Sequence, residues 1–198
     1  MDERTFFDKL APTWDDNEVR STHHRVSNII NMIDINPGQH VLDLGTGTGV
    51  LLPYITEKIG SEGKVTAVDY SAGMLDIARQ KFSNLSPAPC FLNLDFENET
   101  IPGEFHRIIL YCVYPHLHDP VNTLRWLEKV NLKENGTITI AFPSDAEFIN
   151  NIHREKHSES EMLPSPAVLA EFLASNGFDV RVLSDTADAY VVTITKNK

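Results

Sequence analysis

Cysteine is scarce in this 198-residue chain: Cys90 and Cys112 stand alone without C-x-x-C spacing, so neither a disulfide framework nor a thiolate zinc site is indicated. Both thiols are expected to be reduced and half-buried. Positive charge is also short. The chain sets 17 Lys and Arg against 28 Asp and Glu, a net charge of -11 with no basic run, which would repel nucleic acid or an anionic membrane surface. No apolar run approaches the length that spans a bilayer, and Met1-Asp2-Glu3-Arg4 lacks the start of a signal peptide. A cytoplasmic location without membrane insertion is therefore expected. Internal repeats and low-complexity tracts are absent. With 41% apolar residues the chain is long enough for one buried core and short for two, so a single domain over residues 1–198 is expected.

What is present is alternation. Residues 17–34 place Val26, Ile29, Ile30 and Ile33 at helical spacing before Asn36-Pro37-Gly38 breaks the pattern, which makes residues 1–36 a helical cap. Then follow strand 40–44, helix 49–59, strand 64–68, helix 71–83, a strand near 90–94, strand 107–112, helix 120–131 and strand 137–142. Such alternation predicts an α/β, Rossmann-like doubly wound sheet, mostly parallel. Ser71, Asp119-Pro120 and Ser165-Pro166 signal helix starts, and Gly177 closes the last helix. Residues 178–183 and 190–195 are β-rich with no helix between them, which predicts an antiparallel C-terminal hairpin.

The informative stretch is Val41-Leu42-Asp43-Leu44-Gly45-Thr46-Gly47-Thr48-Gly49, a buried strand running into a glycine turn that opens a helix. Glycines there let a ligand approach the backbone at the helix N-terminus. An NAD(P)-dependent oxidoreductase is the competing reading, but G-x-G-x-x-G would need glycine where Val50 stands. Asp43 would also oppose a pyrophosphate, whereas it suits a ligand bearing an ammonium and a sulfonium, which favours S-adenosylmethionine. Asp69 ends the next strand, Val65-Thr66-Ala67-Val68-Asp69, where a carboxylate accepts ribose hydroxyls. Alone it reads equally as a helix-capping acid.

From Asp43 to Phe142 the sequence resembles the class I methyltransferases. The matching pieces are Asp43 through Gly49; Val68-Asp69-Tyr70-Ser71-Ala72-Gly73-Met74-Leu75; Leu94-Asp95-Phe96; and Leu132-Lys133-Glu134-Asn135-Gly136 before a strand. The resemblance implies S-adenosylmethionine as cofactor. Asp43 with Gly45, Thr46, Gly47 and Gly49 would hold its methionine part, and Asp69 with the adjoining Tyr70 its ribose. Met74 would pack near the adenine, Asp95 would bond the adenine amino group, and Phe96 would lie beside it. The opening Phe6-Phe7-Asp8-Lys9-Leu10-Ala11-Pro12-Thr13-Trp14-Asp15 is similar to that of the ubiquinone and menaquinone biosynthesis methyltransferases. One departure is Phe105-His106-Arg107, where the family often carries an acid before the fourth strand.

Ligands of open α/β sheets sit beyond the carboxyl ends of the strands, which directs attention to Tyr111, Cys112, Val113, Tyr114, Pro115 and His116. Tyr111 is a candidate both for the cofactor site and for catalysis. This is not the Asn-Pro-Pro-Tyr loop associated with nitrogen methylation, so a small-molecule acceptor is expected. Residues 143–163 read as a lid insertion, with Ser144 and Glu147 as a capping box and Ile149, His153 and His157 at successive i+4 steps. His116 and His153 are the candidate bases or acceptor-orienting donors, while a metal held by these histidines and His118 is the weaker reading. The apolar face of that helix would serve a homodimer as readily as an acceptor. Trp14 would help wall the pocket if the N-terminal segment folds over it, and otherwise reads as a packing residue; Asp15-Asp16 reads as a solvated pair. A non-catalytic module that binds S-adenosylmethionine would share every cofactor residue.

Overall fold

The computed structural model describes residues 3–17, 21–155 and 162–196. Among them, β1 (His40–Leu44), β2 (Lys64–Asp69), β3 (Cys90–Asn93), β4 (Phe105–Tyr111), β5 (Leu132–Phe142), β6 (Asp179–Thr186) and β7 (Ala189–Thr195) form one sheet in the order β3-β2-β1-β4-β5-β7-β6. Strands β1 to β5 pair in parallel, and β7 runs antiparallel between β5 and β6. The doubly wound sheet with its terminal hairpin is thus as the sequence predicts. Strand order reverses between β1 and β4, which opens a crevice at their carboxyl ends.

The strands form where they do because each has two faces to bury. Val41 and Ile109 point to one core with Ile29 and Ile30 of α3 (His23–Met32) and Leu52 and Ile55 of α4 (Leu52–Ile59). Leu42, Leu44, Ile108 and Leu110 point to the other, with Leu124 of α6 (Pro120–Trp126) and Leu169 and Leu173 of α8 (Pro166–Ser175). Alternate residues serving opposite cores explain why these strands read as near-continuous apolar runs.

Several boundaries differ from the sequence reading. The N-terminal region is α1 (Glu3–Leu10), a 3-10 turn (Ala11–Thr13) and a short α2 (Trp14–Asn17) ahead of α3, rather than one helix from residue 17. The helix expected from residue 49 starts at Leu52, because Gly49 still has φ 86° in the turn. Strand β5 begins at Leu132, five residues early, and α6 ends in a wider π turn, Leu127–Asn131. Helix α5 (Ala72–Phe82) starts as expected, with the Ser71 hydroxyl accepting from Met74 N at 3.1 Å. Helix α7 (Ala146–Glu155) is capped differently: Asp145 Oδ1 accepts from Phe148 N at 2.8 Å, so the Ser144 capping box does not form. Ser144 is instead buried, and its hydroxyl has no partner among the described residues. Cys90 is exposed rather than half-buried, while Cys112 is intermediate.

Candidate functional site

The glycine turn sits at the carboxyl end of β1, where Gly45 N and Thr46 N both donate to Val68 O, at 2.8 and 2.9 Å. Its glycines have separate reasons. At Gly45 (φ 70°) an added Cβ would lie 2.4 Å from Val113 Cγ2, so the turn after β4 presses on this position. At Gly47 (φ 55°) an added Cβ would meet nothing within 4 Å: the space above the turn is open. Gly49 seats against Leu52 and Phe82.

Two buried carboxylates flank that open space. Asp43, 1% exposed, accepts from the Thr46 hydroxyl at 2.6 Å. Burial pushes its carboxyl up to about 7, countered by the Thr46 bond and reinforced by the charge of Asp69. Asp69, 5% exposed, accepts from Gly47 N at 2.8 Å and from Ser71 N at 2.9 Å. Burial raises it to about 6 despite those bonds, with the nearby Asp8 adding to the rise. Met74 is buried at the start of α5, and Tyr70 is half-buried beside it. Asp95 and Phe96 follow β3, and Asp95 is engaged locally: its carboxylate accepts from Glu97 N at 3.3 Å and Asn98 Nδ2 at 2.9 Å.

Residues 3–17 lie across this edge as a strap, whose polar fastenings the sequence reading left out. Asp8 Oδ1 accepts from the Ser71 hydroxyl at 2.6 Å and Gly73 N at 3.0 Å. Asp15 is exposed, as expected, but it is not free: it accepts from the Thr48 hydroxyl at 2.6 Å and from Lys81 at 2.8 Å. Burial opposes ionisation of Asp15, yet the Lys81 and Thr48 bonds hold it below the usual carboxylate range. Arg4 reaches Asn93 at 3.2 Å, and the Phe7 ring packs against Trp14, Tyr70 and His116 at 5.6, 6.0 and 5.4 Å. The strap therefore touches the turns after β1, β2 and β4 and the last residue of β3. A signal was available: the aromatic-acid pair Phe7-Asp8 recurs seven residues on as Trp14-Asp15.

His116, half-buried, stands one ring away from Tyr70, with Phe7 between them. Tyr111 is 6% exposed, and its hydroxyl pairs with that of Ser21 at 2.8 Å. It belongs to the α3 and α4 core, on the other face of the sheet from Tyr114, whose hydroxyl burial pushes up to about 12. The structure thus brings Asp43, Gly45, Thr46, Gly47 and Asp69 into one cradle with Tyr70 and His116 at its rim, and sets Tyr111 behind it. The expected helix over the crevice is α7, whose Ile149 joins Tyr114, Phe142 and Leu163 in the core. The side chain of His153 and all of His157 fall outside the described residues. Arg107 is buried at the opposite end of β4, donating to Ile33 O and Asp34 O, so the departure there concerns packing of α3.

This fold and cradle define a class I methyltransferase architecture. The Methyltransferase domain family model matches residues 35–189, and the chain belongs to that family. It is 36% identical over 148 residues to the 2-phytyl-1,4-naphtoquinone methyltransferase of Trichormus variabilis, covering 69% of this chain and 62% of that one. It is 34% identical over 101 residues to the demethylmenaquinone methyltransferase of Symbiobacterium thermophilum, covering 48% and 39%. The chain thus spans less than two thirds of these relatives' length. The SAM-dependent methyltransferase of Aquifex aeolicus has the same fold, with TM-score 0.73 at 23% identity over 100% of both chains. Among the described residues, no helix is long and apolar enough to cross a membrane.

Proposed function

We propose that this protein transfers a methyl group from S-adenosylmethionine to a small, partly apolar ring acceptor of the quinol type. The observation that carries the cofactor is the pair of buried carboxylates, Asp43 and Asp69, bonded to the adjacent turn residues Thr46 and Gly47. A pyrophosphate at the turn would face Asp43, whereas an ammonium and a sulfonium would find a partner there; ribose hydroxyls would find theirs at Asp69, as they would in either cofactor type. The nicotinamide reading falls with the same observation and with the family. Asp43 and the Gly45–Gly49 turn would hold the methionine part, and Asp69 with Tyr70 the ribose. Met74, Asp95 and Phe96 would hold the adenine, with Tyr111 supporting the cradle from behind.

The bound cofactor supplies an activated methyl group, so the chain's own work is alignment and exclusion of water. The strap roofs the edge and α7 covers the crevice beyond β5 as a lid. His116, held edge-on by Phe7, is the group we assign to take or hold the acceptor's proton, with His153 on the lid as the second candidate. The quinol class is supported by the names of the two relatives above, and the net charge of -11 argues against nucleic acid.

Calorimetric titration with S-adenosylmethionine, S-adenosylhomocysteine and NADH, on wild type and Asp69→Ala, tests the cofactor. Binding of the first two, lost in a variant that still melts cooperatively, supports the proposal, and binding of NADH alone overturns it. Methyl incorporation into a short-chain 2-alkyl-1,4-naphthoquinol then separates the enzyme from a module that only binds.

A further inference from the structure

The turn after β3 and the turn between β4 and α6 come from strands that are not neighbours in the sheet, and one side chain joins them. Glu97 is mostly buried, with 15% of its side chain exposed. Its Oε1 accepts from His118 N at 3.1 Å, from Asp119 N at 3.2 Å and from the Thr123 hydroxyl at 3.1 Å. Its Oε2 lies 3.2 Å from His118 N and 2.9 Å from His118 Nδ1. Helix α6 does not need this residue as its cap, because Asp119 already accepts from Asn122 N at 3.1 Å. What Glu97 closes is the segment that carries Tyr114, Pro115 and His116. Bonds to an ionised carboxylate are roughly twice as strong as neutral ones, so this is a firm tie.

The other end of Glu97 is held by the turn assigned above to the adenine. Asp95 uses one oxygen for Glu97 N and the other for Asn98, while Asp95 N donates to Glu99 at 2.8 Å. An adenine amino group on an Asp95 oxygen would add a third donor to a carboxylate that already holds Glu97 N and Asn98 Nδ2, and would draw the Glu97 backbone with that carboxylate. The carboxylate of Glu97 then carries the displacement to the His116 turn.

We propose that Glu97 is a positioning residue that couples the adenine end of the cofactor site to the His116 turn, so that filling the first sets the second for the acceptor. This rests on the cofactor reading above. Coupling of this kind is reciprocal: a bound acceptor tightens the cofactor by the same factor.

The test needs no acceptor. Side-chain 1H–15N spectra of His116 and His118, assigned with His116→Gln and His118→Gln, are followed while wild type, Glu97→Gln and Glu97→Ala are titrated with S-adenosylhomocysteine, and affinity is measured on the same samples by calorimetry. In wild type, saturation moves both histidine signals. Glu97→Ala binds within about threefold of wild type but loses the shift, and Glu97→Gln, which keeps one accepting oxygen, retains part of it. Signals unmoved in saturated wild type, or an undiminished shift in Glu97→Ala, would overturn the proposal. So would an affinity loss beyond about tenfold, which would make Glu97 part of the cofactor's own seat. Absence of any binding to wild type is a different result: it removes the cofactor reading itself, and the coupling with it.

Discussion

Thr48 in the glycine turn donates its hydroxyl to Asp15 across 2.6 Å, a bond between residues 33 positions apart. Because Asp15 also holds Lys81 of α5, one strap carboxylate ties the turn that follows β1 to the helix that follows β2. Closing over a ligand and releasing it then both depend on how firmly this strap is fastened.

Loosening the strap should therefore change rates more than stability. Asp15→Ala removes two bonds of a half-exposed carboxylate, each worth about 0.5 kcal/mol, and the expected result is release of S-adenosylhomocysteine faster by about fivefold with the melting temperature lowered by only about 3 °C. Stopped-flow fluorescence of Trp14, which packs on Phe7, reads this directly. An unchanged release rate would mean that residues 3–17 do not restrain the ligand.

The buried acids set a pH dependence. Asp43 and Asp69 have folded pKa values of about 7 and about 6, above the ordinary 3.8. Between those limits the folded state binds more protons than the unfolded one, so the ligand-free protein loses stability as pH rises from about 4 to 7 and levels off above. Differential scanning calorimetry from pH 5 to 8 should show a falling midpoint, and Asp43→Asn should flatten it. A midpoint that rises across this window would contradict the burial of charge at this turn.

Two glycine substitutions should fail in different ways. Gly45→Ala combines a left-handed backbone with a contact 2.4 Å from Val113 and should cost at least about 2 kcal/mol of stability. Gly47→Ala meets no neighbour, so only the backbone strain of about 1 kcal/mol applies, yet its methyl enters the open space and cofactor affinity should drop more than tenfold. Chemical denaturation beside calorimetric titration distinguishes the two.

Tyr190 offers a test of the core. Its ring packs edge-on against Phe142 at 5.5 Å, and its buried hydroxyl has no partner among the described residues. Burial pushes the hydroxyl's ionisation well above its ordinary range. Tyr190→Phe should be neutral or stabilising by up to about 1 kcal/mol, measured as the urea midpoint. A clear destabilisation would reveal a bond the hydroxyl makes to an internal water.

The sheet was legible because strands with two buried faces announce themselves as apolar runs, and Asp43 and Asp69 stood out because each is an acid within or at the end of such a run. The strap was not. Its contacts are polar and aromatic, made to turns rather than to a core, so helical apolar periodicity carries no trace of Asp8 or Asp15. Glu97 was hidden for a related reason: its partners lie 21 to 26 positions ahead, on a turn brought near only by the order of the sheet. The α7 cap was misread because Ser144 and Asp145 are both good cap residues, and only the path of the chain after β5 decides between them.

The strap also dictates a sequence of events. Arg4 and Asn93 are 89 positions apart, and Phe7 waits for His116, so the strap has nothing to dock against until four strands of the sheet exist. Contacts of such long range are slow to close. The sheet can therefore be assembled while its ligand edge is still open, and competence to hold a ligand should appear after the core has formed, as the last stage of folding.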